Sequence, residues 1–285
     1  MPAVPYHHRA FKLTGPGLRV DIVQIVVLAV IQGITEFLPI SSSGHLILVP
    51  FFTHWPDQGL DFDVAVHIGT LSAIVLYFRR TLTAMATDWA RSLAARQEVG
   101  QSRLAWAVLF GTLPAGLAGL AFEETIETTL RSPQVVAFTT IGYAILLWLA
   151  DRRPGTRTEQ SICWVDVLAI GCAQALALVP GTSRSGVTIT AGLFRNLTRD
   201  AAARFSFLLA VPVMTAAGLA EIAKFASADT GAPLDLRAMV LGAGISAVTG
   251  IACIHYFLKW LTRFGTLPYV LYRLALGVTL FVLLA

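Results

Sequence analysis

The sequence predicts an all-α polytopic membrane protein with six transmembrane helices and two re-entrant helical hairpins, arranged as an inverted-topology repeat. Three observations carry this. Of 285 residues, 55% are hydrophobic and only 13% charged, and the mean hydropathy of +0.69 far exceeds what a soluble core of this length uses. Six apolar stretches are long enough to cross a bilayer. Two further apolar segments are broken by clusters of proline, glycine and serine, QGITEFLPISSSGH (32–45) and PGTSRSG (180–186).

The first apolar run begins near Ile22, behind a tail carrying His7, His8, Arg9, Lys12 and Arg19. No small-residue cleavage site follows, so the run is read as uncleaved. Ile22 to Leu38 could reach about 25 Å as a helix, but Pro39 and the serines interrupt it, and the arm Leu46 to Phe52 could reach only about 10 Å. The second arm is too short to cross. The same form recurs at Val165 to Val179, the PGTSRSG turn, and Val187 to Phe194. Irregular backbone at membrane depth is tolerated only in protein or beside a wet cavity, so both hairpin tips should face a site. The six spans are approximately Phe62 to Phe78, Leu104 to Phe122, Val135 to Ala150, Ala201 to Ala220, Ala238 to Phe257 and Leu267 to Ala285, bounded by charges or proline-containing loops.

A hairpin and three spans are thus followed by a hairpin and three spans. This is a single membrane domain, 1–285, with halves of about 20–151 and 161–285. Fragments match in order: QGITEFLPISSSG with QALALVPGTSRSG, GTLPAGLAG with GAGISAVTG, and GYAILLWLA with GVTLFVLLA. Three crossings per half is odd, so the second copy inserts upside down, a plan whose sites lie at the repeat interface near the midplane. Arg79, Arg80, Arg91, Arg96, Arg103, Arg152, Arg153, Arg157, Arg195, Arg199, Lys259 and Arg263 fall on one side, against Arg131, Lys224 and Arg237 on the other. The rich side is cytoplasmic, and both termini lie outside. These loops account for the net charge of +4 without an anionic macromolecule, and no nucleic-acid partner is expected. Cys163, Cys172 and Cys253 lack metal-ligand spacing and read as packing residues.

Chemistry concentrates at the two tips. Gln32 and Glu36 share a helical face, and Ser41, Ser42, Ser43 and His45 follow. The second tip supplies Ser183, Arg184, Ser185 and Thr188. Burying Glu36 or Arg184 in hydrocarbon is costly, so each marks a functional site by default. The alternative is that the two merely pin the tips together, which leaves the hydroxyls and the repeated Pro-x-x-Ser pattern unexplained. Helices restarting at Ser-Ser-Ser-Gly and Ser-Arg-Ser-Gly would aim free N–H groups at an anion, and Arg184 adds a bidentate donor suited to phosphate. Glu36 and His45 are superfluous for binding, whereas phosphoryl transfer would use them with an oxygen nucleophile. No GxxxxGK[ST] supports nucleotide hydrolysis. His67 could line the mouth of the site but reads first as a satisfied interfacial histidine, and Arg273 either faces the cavity or snorkels to an interface. The acidic run Glu123, Glu124 and Glu127 reads as a solvated outer loop.

QGITEFLPISSSGH and PGTSRSGVT resemble the two long motifs of the bacterial undecaprenyl-diphosphate phosphatases, the bacitracin-resistance family. FDVAVHIGT and YRLALG extend the resemblance over essentially the whole chain. It implies a multi-pass enzyme of the bacterial inner membrane that removes the terminal phosphate of a polyprenyl diphosphate lipid, recycles the carrier for cell-wall synthesis and so confers bacitracin resistance. It also implies dependence on Mg2+ or Ca2+, a site open to the periplasm, contact with membrane lipids, and a homodimer. By the same resemblance Gln32 and Glu36 are the acidic-motif residues, Glu36 being the metal ligand. Ser42 is nucleophile or phosphate ligand, His45 a proton-transfer partner, and Ser183, Arg184 and Thr188 hold phosphate. Gln32 stands where many members carry glutamate, and His67 where a glutamine is expected. A polyprenyl-phosphate transporter or flippase on the same repeat is the alternative. The type 2 phosphatidic acid phosphatases share short strings with this chain, but their Lys-x6-Arg-Pro element is missing and Thr190 stands where a histidine would follow Arg184.

Overall fold

A computed structural model describes residues 21–56, 58–128, 130, 133–153, 155–227 and 235–284. The basic tail before Asp21 and Arg131 lie outside the described residues, as do the side chains of Glu123, Glu124 and Glu127. Eleven α-helices are described, in the order α1 (Ile22–Thr35), α2 (Ser42–Thr53), α3 (Leu60–Tyr77), α4 (Arg79–Ala95), α5 (Ser102–Thr128), α6 (Pro133–Asp151), α7 (Trp164–Leu176), α8 (Arg184–Phe194), α9 (Arg199–Ser227), α10 (Leu236–Phe264) and α11 (Leu267–Leu284). The chain is a multi-pass membrane protein. Five helices, α3, α5, α6, α9 and α10, are long and apolar enough to cross a bilayer. The apolar part of α11, Leu267–Leu283, is shorter, roughly 26 Å at 1.5 Å per residue.

Local chemistry sets the boundaries. Asp21 caps α1 by accepting from the Ile22 amide (2.7 Å), and Asp235 caps α10 by accepting from Ala238 N (3.0 Å), each satisfying an orphan donor of the first turn. Pro39 cannot continue α1, and the chain turns through residues 36–41 before α2 begins. The segment between the first two expected spans is not a loop, because α4 fills it. Leu82, Met85 and Trp89 recur at helical spacing there and pack toward α5, while Arg79, Arg80 and Arg91 stay on its exposed side.

Close packing rests on small residues. The most extensive interface joins α3 to α10, where a Cβ on Gly69 would collide with Ser246 Oγ and the Ala243 backbone, and Ser246 Oγ donates to Val66 O across the contact (2.9 Å). Without a hydrophobic driving force in lipid, such close backbone approach supplies the attraction. The helix before the first tip, α1, packs on α10, and its counterpart α7 packs on α5, so each is held by the other half of the sequence. Behind the first tip, Phe37, Phe78, Phe207 and Phe257 form an aromatic core, with Phe37 set edge-on to Phe207 at 5.6 Å between centroids.

At the basic ends, two carboxylates tie loops to helices. Asp166, fully buried, takes Arg157 and Arg195 Nε and accepts from Cys163 N (2.9 Å). Asp151 takes Arg199 Nε and both donors of Thr266. Charges excluded from water persist only when paired and hydrogen-bonded in this way.

Candidate active site

Both tips share one unusual backbone. Ser41, just before α2, has φ 73° and ψ 99°, and Ser183, just before α8, has φ 68° and ψ 111°. A positive φ is strained for a residue with a Cβ, and such strain persists only where the surroundings over-determine it. The serine pairs match as well, with Ser41 Oγ 3.4 Å from Ser43 Oγ and Ser183 Oγ 3.3 Å from Ser185 Oγ. Ser183 Oγ also accepts from Gly186 N (3.2 Å).

The residues that follow these serines reach one carboxylate. Glu36, 8% exposed, accepts from Arg184 Nη2 at 2.8 Å through Oε1, and from Ser42 Oγ at 2.7 Å and Gln32 Nε2 at 3.1 Å through Oε2. One carboxylate thus joins a hydroxyl of the first tip to a guanidinium of the second. Arg184 is further steadied by Ser206 O (3.4 Å) and Met214 Sδ (3.8 Å) on α9. Ser185 Oγ donates to Leu38 O at 2.9 Å and so crosslinks the tips directly. Thr188 Oγ1 donates to Arg184 O (2.8 Å) and lies 2.6 Å from Ser206 Oγ, fixing the first turn of α8 against α9.

Not every residue singled out in the sequence joins this carboxylate. His45 has both ring nitrogens engaged elsewhere: Nδ1 lies 2.6 Å from Ser41 O and Nε2 2.5 Å from Tyr272 OH, and the rings stack. A carbonyl can only accept, so Nδ1 carries the proton, and the neutral ring's Nε2 accepts from the tyrosine. Ser43 is exposed. Three other residues belong to the site. His67 Nε2 stands 3.8 Å from Glu36 Oε2, so of its two expected places it takes the one at the site. Tyr272 holds His45. Arg273 neither lines the cavity nor snorkels; it is fully buried behind the tips. Its position within an apolar stretch was the available signal.

A divalent cation would need hard oxygen ligands. Among the described residues, no group of three His, Cys, Asp or Glu side chains could hold one. Glu36 nevertheless supplies a carboxylate, Ser42 a hydroxyl, and Gln32 an amide Oε1 that is buried without a hydrogen-bond partner. These oxygens are of the kind that Mg2+ or Ca2+ takes.

Residues 25–279 match the family described as bacitracin resistance protein BacA. Undecaprenyl-diphosphatase 2 of Stutzerimonas stutzeri (strain A1501) is 55% identical over 267 residues, covering 92% of this chain and 98% of the relative. The undecaprenyl-diphosphatase of Nitrosococcus oceani is 56% identical over 265 residues, 92% and 99% of the two chains. That of Thioalkalivibrio sulfidiphilus is 55% identical over 258 residues, 90% and 97%. With identity at this level along nearly its full length, the chain belongs to the bacitracin resistance protein BacA family.

Proposed function

We propose that this chain is an undecaprenyl-diphosphate phosphatase, releasing inorganic phosphate and leaving the lipid monophosphate for reuse in cell-wall synthesis. The observation that carries this is the junction of Ser42, Glu36 and Arg184: a hydroxyl already donating to a carboxylate, beside a guanidinium suited to phosphate oxygens. In the resting site Arg184 spends one donor on Glu36. The terminal phosphate takes up that guanidinium together with the amides that open α2 and α8, which frees Glu36 to accept the Ser42 proton. Ser42 Oγ then attacks the terminal phosphorus in line. The bond from phosphorus to the bridging oxygen breaks, and the lipid monophosphate leaves with the bond's electron pair. Glu36 passes that proton to the departing phosphate oxygen. Water then attacks the phosphoserine and gives its proton to Glu36, while Ser42 Oγ leaves with the bond's electron pair and takes the proton back from Glu36, releasing free phosphate. Gln32, Glu36 and Ser42 would hold Mg2+ or Ca2+, which when bound neutralises charge on the phosphate oxygens. His45, turned toward Tyr272, serves by fixing the strained Ser41 carbonyl.

The fold reading that accompanies this has two re-entrant hairpins, 22–52 and 165–194, and α11 as a sixth span, in an inverted repeat set in the inner membrane with the site open to the periplasm. The matched backbone at Ser41 and Ser183, the crossed packing of α1 and α7, and the basic ends of α3, α6 and α10 support it. The deciding assay is phosphate release from undecaprenyl diphosphate by purified protein in detergent, with and without Mg2+ or Ca2+, beside Arg184→Ala. Release that needs the cation and vanishes in the folded variant is expected. A folded wild type that releases none, yet moves polyprenyl phosphate across liposomes, would make the protein a transporter.

A further inference from the structure

Arginine carries five N–H donors in a planar fork. Arg273, on α11 and the largest fully buried side chain among the described residues, spends every one on a different main-chain carbonyl. Nε donates to Thr140 O (3.1 Å); Nη1 to Pro39 O and Thr182 O (3.1 Å each); Nη2 to Gly181 O (3.0 Å) and Thr139 O (3.5 Å). Among the described residues, no carboxylate pairs with it. Pro39 belongs to the first tip, Gly181 and Thr182 to the second, and the two threonines to α6. The grip falls three residues from both Glu36 and Ser42, and two residues before Arg184, yet touches none of them.

We propose that Arg273 is the positioning residue of the site, holding the two tips in the register that lets Ser42 and Arg184 meet Glu36. The peptide bond is planar and trans, so fixing the Thr182 carbonyl also fixes the plane from which Ser183 and α8 depart. The Pro39 carbonyl does the same for the turn into Ser41. Main-chain acceptors cannot be supplied or removed by side-chain changes at the tips, so the register depends on the donor alone. Where the sequence fragments align Gly142 with Gly277, Arg273 falls opposite Phe138, which is exposed. One residue of one half therefore serves both tips. Lysine offers three donors from a point charge and cannot reproduce the planar fork.

The kinetic part of the test rests on the phosphatase reading; the exchange part does not. Arg273→Lys and Arg273→Gln are compared with wild type by amide hydrogen exchange and by kcat and KM for phosphate release. Exchange at 36–46 and 180–188 rises together by about tenfold or more while α3 and α10 keep their protection. In parallel kcat falls about a hundredfold in the glutamine variant, less in the lysine variant, with KM within about threefold. Unchanged tip exchange, exposure of one tip only, protection lost throughout α3 and α10, or a raised KM at unchanged kcat overturns the proposal. Should Arg273→Gln fail to fold, Arg273→Lys, which keeps charge and most of the volume, decides by the same criteria. A wild type without phosphate release would sink the phosphatase reading alone, and the exchange data would still judge the clamp.

Discussion

Replacing Glu36 by glutamine keeps the side chain's volume and removes one negative charge from the point where the tips meet. Three donors converge on that carboxylate, from Arg184, Ser42 and Gln32, and an amide offers only one oxygen. Gln32 can compensate, because its Oε1 has no partner and its amide can turn to accept from the new NH2. The hydrogen-bond count survives, so the loss is electrostatic. Arg184, with a side chain 12% exposed, is left without its counter-ion, and removing one partner of a buried pair costs about 3–5 kcal/mol. Ser206 O still accepts from it (3.4 Å), which favours the lower end. Phosphate bound in the variant restores the missing negative charge. A hydrogen bond to a charged group contributes about 1.5–3 kcal/mol, so inorganic phosphate binds roughly ten- to a hundredfold tighter. Loss of the proton acceptor lowers kcat by about 10²- to 10⁴-fold. Titration calorimetry with phosphate and steady-state kinetics on the folded variant read both quantities. Weaker phosphate binding than wild type, or a kcat within about threefold of it, would refute the reasoning.

Ser185→Ala removes the hydroxyl that bonds Leu38 O at 2.9 Å; a loss of about 1 kcal/mol should lower the thermal midpoint by about 2–4 °C, measurable by scanning fluorimetry. Asp166→Asn breaks the pairs with Arg157 and Arg195, at the opposite end of α7 from the second tip. Its thermal midpoint should drop by about 5 °C or more, while the KM of the protein that remains folded stays at the wild-type value. Tyr272→Phe deletes the donor to His45 Nε2; kcat should fall roughly tenfold at constant KM, and an unchanged kcat would remove His45 orientation from the mechanism.

Five of the six expected spans are matched by helices long and apolar enough to cross a bilayer, because hydropathy summed over about 20 residues outweighs local noise. Glu36 and Arg184 stood out as charges within apolar segments, and an inverted repeat would bring their two tips to one interface. Other features left weaker traces. The helix α4 is polar enough to pass for a loop, although Leu82, Met85 and Trp89 hold a 3.6-residue rhythm. Helical spacing set His45 on the face of Ser42, but a side chain takes the partners that tertiary packing offers, and Tyr272 lies 227 positions away. Arg273 was visible as a charge in a span, yet its partners are main-chain carbonyls, which no residue type announces. Its role could emerge only from coordinates.

The two tips show why a repeated backbone can build a site that neither copy could build alone. In the alignment of QGITEFLPISSSG with QALALVPGTSRSG, Ser42 stands opposite Arg184 and Glu36 opposite Leu178. Ser41 and Ser183 nevertheless hold nearly the same φ and ψ, so Ser42 and Arg184 leave their helices from equivalent places. Two tips of the first kind would bring two carboxylates together, and two of the second kind two guanidiniums, each a like-charge pair in a poorly solvated place. With one of each, the carboxylate neutralises the guanidinium. Gln32 and Gln174 stand opposite each other in that alignment and differ in what they meet. Both are buried, but Gln32 donates to Glu36, whereas neither amide atom of Gln174 has a partner. The two tips thus share a backbone, while the carboxylate sits on one and the guanidinium on the other.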